Sequence, residues 1–166
     1  GGPDQNGREI LLAGRNIYTM DVKKIPTREA FSTGKELAEK LIAQYLEEEH
    51  HYPEQVAMNM ISQDITRSKG IQVSQFLYLM GIMPVWDSSE NVTGLDIISL
   101  EELGRPRVDV TLRISGVLRD AWPQVVELMD DGALLAASLK EPPEQNYVRR
   151  HTLELLSRGA DTEISR

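Results

Sequence analysis

Gly-Arg-Pro-Arg-Val-Asp-Val-Thr-Leu-Arg-Ile-Ser-Gly-Val-Leu-Arg-Asp, residues 104–120, is the stretch on which the fold turns. Pro106 forces the chain to be extended just before Val108. From there Val108, Val110, Leu112 and Ile114 share one side of a predicted strand, and Asp109, Thr111 and Arg113 share the other. A strand covered on both faces reads as a near-continuous apolar run, so this one keeps one face wet, paired, or pressed against a polar partner. Ser115-Gly116 then turns the chain into a helix from about Asp120 to Leu139. Two readings of the charged side fit. It belongs to an edge strand, where charge discourages aggregation, or it brings Arg113 to a cleft. Ligands of open α/β sheets collect at the carboxyl ends of strands, where Ser115-Gly116 lets the backbone approach and a helix start favours a carboxylate or phosphate. Arg113, Ser115, Gly116, Arg119 and Asp120 are therefore the candidate ligand or interdomain contacts, with the polar loop 62–70 on the same rim.

Outward from this strand the order of elements is that of an α/β layer structure. Residues 1–26 read as an extended arm with apolar weight only at 10–13 and 16–20. Thr27 is a candidate N-cap for an amphipathic helix carrying Ala30, Phe31, Gly34, Leu37, Ala38, Leu41, Ile42, Tyr45 and Leu46, which ends before Pro53. Residues 56–61 suit a short buried strand, and a second helix with Val73, Phe76, Leu77 and Met80 on one side stops at Gly81. Strands are predicted at 83–86 and 92–100, either side of the turn cluster 87–91. A last short helix spans 146–156 after Pro142-Pro143. The expected fold is a largely parallel sheet of about four strands flanked by helices. The α/β domain occupies 27–158, and 159–166 is a tail leading into further chain.

Composition narrows the function. At 166 residues the chain suits one core of ordinary size. Its 40% hydrophobic and 27% charged residues are those of a soluble globular protein. No apolar run reaches the roughly 20 residues that cross a bilayer, and the first residues lack a signal-peptide pattern, so a cytoplasmic location without membrane insertion is expected. A net charge of −8 argues against a general nucleic-acid binder. With no cysteine there are no disulfides, thiolate nucleophiles or cysteine metal sites. Glu36, Glu39, Glu47, Glu48, Glu49 and Glu54 read as a solvated helix face.

Catalytic signatures are absent. Ser32-Thr33-Gly34-Lys35 falls inside the first helix without partner motifs, and the same Gly-Lys lacks the upstream glycine of a phosphate-binding loop. His50, His51 and His151 have no companion at metal-ligand spacing and read as surface or helix-end residues. Trp86 and Trp122 read as core or interface anchors.

Five blocks carry a family resemblance: 14–21, 25–30, 80–87, 100–123 and 141–151, of which Leu-Gly-Arg-Pro-Arg-Val-Asp-Val (103–110) is the most specific. Together they resemble the large subunit of the tetrapyrrole metal chelatases, both the cobaltochelatase (CobN) type and the magnesium chelatase H subunit. The loop after strand 56–61 departs from the family, which usually shows a Trp-Gly-Thr-like turn and a glycine pair there. The resemblance implies a fragment of a much longer subunit that binds a tetrapyrrole and a divalent metal substrate, cobalt or magnesium. It implies as partners the remainder of that subunit and AAA+ motor subunits that hydrolyse MgATP. The cobalt branch, in cobalamin biosynthesis, is the expectation, with the magnesium branch or a non-catalytic tetrapyrrole- or partner-binding module as alternatives. No catalytic residue, metal ligand or cofactor of the fragment itself is carried over.

Overall fold

A computed structural model describes residues 22–164. The expected arm therefore lies almost wholly outside the described residues, as do the last two residues of the expected tail. After a 3-10 turn at Val22–Lys24, α1 (Arg28–Glu49) starts where the sequence indicates: Thr27 Oγ1 accepts from Ala30 N at 3.1 Å. The helix ends with His50 in the left-handed region, its N–H donating to Leu46 O. Gly34 sets how closely α1 crosses the next long helix, because a Cβ there would stand 2.5 Å from Ser74 Cβ.

β1 (Gln55–Met60) leads through α2 (Ser62–Thr66) to α3 (Ile71–Leu79). Val73, Ser74, Phe76, Leu77, Tyr78 and Leu79 are all buried, so α3 is enclosed nearly all round and forms the centre of the core. β2 (Ile82–Trp86) and β3 (Val92–Ile97) form a hairpin, followed by α4 (Leu100–Leu103), β4 (Asp109–Ile114), α5 (Gly116–Ala121), α6 (Pro123–Ser138) and α7 (Tyr147–Ile164).

The α/β class and the parallel pairing between helices are as expected, but the four strands divide into two pairs. β1 runs parallel to β4, from Gln55↔Asp109 to Met60↔Ile114, while β2 and β3 are antiparallel. The chain reaches the start of β4, where Val108 N donates to Leu79 O at 2.9 Å, and then turns away at Gly81, whose φ of 76° few other residues adopt. Further along, Pro84 removes a donor from β2 and a bulge follows at Val85/Trp86.

The last helix runs to Ile164, where the sequence indicates an end near 156, so the expected tail is helical as far as it is described, and three other elements differ from the periodicity. The predicted strand 92–100 stops at Ile97 because Ser99 caps a helical turn, its Oγ accepting from Glu102 N at 3.1 Å. Loop 62–70 contains α2. The helix expected from Asp120 is two helices broken at Trp122, which is non-helical (φ −132°, ψ 54°) because Pro123 follows it.

Along β4 the predicted alternation holds. Val110 is buried, Leu112 and Ile114 are half-buried, and Thr111 and Arg113 are exposed. On β1, Val56 and Met58 join the inner face, and Gln55, Ala57 and Asn59 stand in solvent.

Candidate functional site

The parallel register brings the loop after β1 beside the Ser115-Gly116 exit of β4, so residues 61–70 and 115–120 leave the same end of the pair. Ser115 is the N-cap of α5, its Oγ accepting from Leu118 N at 3.1 Å. Gly116 opens the helix with nothing within 4 Å of the position a Cβ would take. Arg113 projects from the exposed face of β4, and Arg119 and Asp120 are exposed on α5. The five sequence candidates thus lie together at one end. Among the described residues no ion pair or side-chain hydrogen bond engages Arg113, Arg119 or Asp120. Beside them Ile61 and Val117 are 51% and 72% exposed, an apolar pair on a polar rim.

Loop 62–70 contributes less to this rim than its polar sequence suggests. Asp64 is buried and accepts from Gln72 N at 2.6 Å, Val73 N at 3.3 Å and Ser68 Oγ at 2.8 Å. Its carboxylate caps α3 from a distance and folds the loop inward.

The opposite end of the pair is closed by its own side chains. Arg107 is fully buried and spends its donors on Met80 O, Gly81 O, Ile98 O and a bidentate grip on Glu141, at 2.8 Å to Oε1 and 3.1 Å to Oε2. Asn146, also buried, donates to Ala136 O and Glu141 Oε1. Arg105 reaches Leu79 O, Pro106 O and Tyr78 O, with its guanidinium 5.1 Å from the Tyr78 ring centroid. Burial lowers the Arg105 pKa to about 10; burial and the hydrogen bond to Glu39 raise Tyr78 to about 12. Asp109 does not pair with Arg113; its Oδ2 lies 2.8 Å from His151 Nδ1. A shallow cleft of about 790 Å³ lies alongside, lined by His50, His51, Tyr52, Glu54, Arg105 and Tyr147.

None of this second cluster was legible as a site in the sequence. His151 meets a carboxylate 42 positions away and Arg107 one 34 positions away, pairings that local spacing does not encode. The Arg-x-Arg of the 103–110 block is the one available signal. Among the described residues no group of three or more His, Asp or Glu side chains is placed to hold a metal ion, and no helix is long and apolar enough to cross a membrane.

The family model described as CobN/Magnesium Chelatase matches residues 1–166. The chain belongs to the CobN/magnesium chelatase family. It is 40% identical over 149 residues to the aerobic cobaltochelatase subunit CobN of a Sinorhizobium species, covering 89% of this chain and 12% of that protein. It is 36% identical over 155 residues to the magnesium-chelatase subunit ChlH of rice, covering 93% of this chain and 11% of that one. The catalytic subunit of cobaltochelatase from Mycobacterium tuberculosis has the same fold, with a TM-score of 0.82 and 40% identity over 86% of this chain and 12% of that structure. The chain thus spans roughly an eighth of the length of these family members.

The family block 103–110 has a structural explanation in the closed end. Gly104 takes the left-handed φ of 72° that ends α4, Pro106 is buried, and Arg105 and Arg107 tie the approach to β4 onto α3 and the start of β2. These residues build the domain, whereas the Arg113, Arg119 and Asp120 side chains of the rim have no partner among the described residues.

Proposed function

We propose that this chain is one domain of the large, tetrapyrrole-binding subunit of an ATP-dependent chelatase that inserts cobalt into a corrin precursor in cobalamin biosynthesis. The observation that carries this reading is the family match over residues 1–166 by a chain that spans so little of its relatives. Magnesium insertion into a porphyrin is the second reading, and the 36% identity to the magnesium-chelatase subunit supports it on the same footing. The divalent metal and the tetrapyrrole are substrates, and separate AAA+ motor subunits hydrolyse MgATP. No residue of this domain carries out the insertion chemistry. Its closed end gives rigidity, and its rim of Arg113, Ser115, Gly116, Arg119 and Asp120 faces the rest of the subunit or the carboxylates and amides that border a macrocycle. The assembly works in the cytoplasm, and the net charge of −8 supports the absence of a nucleic-acid partner.

The test gives the parent subunit, its motor partners and MgATP either cobalt with a corrin precursor or magnesium with a porphyrin. Cobalt insertion alone is the expected result. Magnesium insertion alone selects the second reading, and tetrapyrrole binding without any insertion identifies a non-catalytic binding module instead. Absorbance titration of the isolated chain is expected to show weak or no binding of either macrocycle, because a site shared between domains loses most of its walls.

A further inference from the structure

Asp109 donates its backbone N–H to Glu54 O at 3.0 Å, which fixes which peptides of each strand face the other. Peptide groups alternate along a strand, so residues 109, 111 and 113 turn theirs toward β1, and Val110, Leu112 and Ile114 turn theirs outward. On β1 the outward peptides are those of Ala57, Asn59 and Ile61. The two outer edges are finished differently. On β1 the Gln72 side-chain amide donates to Asn59 O at 2.9 Å and accepts from Ile61 N at 3.4 Å. It occupies the two groups that one peptide of an added strand would occupy, closing the carboxyl half of that edge. On β4, Val108 N is held by Leu79 O and Val110 N by Asp109 Oδ1, each at 2.9 Å. Beyond them, nothing among the described residues meets the outward peptides of Leu112 and Ile114.

We propose that this outer edge of β4, at Leu112 and Ile114, pairs with a further strand contributed by the longer large-subunit polypeptide, extending the sheet directly beside the rim. The inference rests on the reading of the chain as one domain of that subunit. A two-stranded sheet is marginal by itself, and parallel strands occur almost only in sheets that are larger and covered on both faces. The cobaltochelatase relative devotes 12% of its length to the matching segment, so most of a subunit is available to supply the strand. Half-buried Leu112 and Ile114 lie on the inner face of β4, so an added strand with alternating apolar residues would continue the inner face they begin.

Residue-resolved hydrogen exchange on the parent large subunit tests the proposal. Leu112 and Ile114 amides are expected to exchange within tenfold of the Thr111 and Arg113 amides, which bond to β1, at every protein concentration. Exchange at Leu112 and Ile114 more than 100-fold faster would overturn it, as would protection seen only at concentrations where the subunit self-associates. In the same parent, Ile114→Pro removes the outward N–H without touching a bond to β1, and Ile114→Ala removes a comparable side chain but keeps that N–H. A midpoint several degrees lower for the proline variant is expected, and equal midpoints would contradict the pairing. If the encoded polypeptide ends at residue 166, the large-subunit reading falls too. If it continues and binds a tetrapyrrole while these amides exchange freely, only the edge pairing is refuted.

Discussion

At the amino-terminal end of the β1/β4 pair, Arg107, Glu141, Asn146, Asp109 and His151 satisfy one another; at the carboxyl-terminal end, Arg113, Arg119 and Asp120 find no partner among the described residues. The contrast separates residues that make the domain from residues that the domain presents. Four of the five residues at the first end are at least four-fifths withdrawn from water in their side chains, or fully buried as whole residues, and each has a fixed acceptor or donor. The second end combines exposed charge with exposed Ile61 and Val117, which suits the contact surface proposed for it.

The sharpest way to break this contrast is to substitute at the closed end. Arg107→Ala removes the cation shared by three backbone carbonyls and the Glu141 carboxylate, leaving Gly81 O only the Ile98 N–H and Glu141 only the Asn146 amide, and an expected loss of about 3–5 kcal/mol removes much of the stability of a domain this size. Urea unfolding measures it; a loss under 1 kcal/mol would mean that this end is not the scaffold.

Next in size is an alkaline effect at Tyr78. Below pH 10 the folded and unfolded chains both keep the phenolic proton, and its contribution is complete. Between the unfolded value near 10 and the folded value of about 12 the unfolded chain loses that proton first, so stability falls as pH rises, by at most about 2 kcal/mol at pH 12 and by less where solvent screens the part-buried hydroxyl. The difference between the wild type and Tyr78→Phe isolates this share from the other groups that titrate there, and parallel pH profiles would contradict it.

The smallest stability effect comes from the rim. Ser115→Ala deletes the cap of α5 and is expected to cost about 1 kcal/mol in urea unfolding, the one rim side chain of the five with a bond to lose. A cost above 2 kcal/mol would place Ser115 with the scaffold instead.

What could be read from the sequence follows the same division. The strand 108–114, its inward and outward faces and its turn into a helix at Ser115 were legible because each depends on neighbours in the chain. The candidate rim followed from the same local pattern. The buried Arg107 network and the Asp109–His151 contact were not, since both join segments that only the folded chain brings together. The division into two sheets was hidden for a related reason: periodicity reports which residues are in strands, whereas the turn at Gly81 that diverts β2 from β4 is a matter of direction. Helix α4 was missed because the apolar run Ile97-Ile98 masks the cap at Ser99.

On the chelatase function proposed above, the most direct test of the division between scaffold and presented surface is the metal-insertion rate of the parent subunit, assayed with the proposed motor partners and MgATP after Arg113→Glu. Exposed and without a partner among the described residues, Arg113 contributes little to folding, so the variant's unfolding midpoint should stay within about 2 °C of the wild type. The account predicts that insertion nevertheless falls at least tenfold. Unchanged insertion by the charge-reversed subunit would show that this end of the domain is ordinary solvated surface.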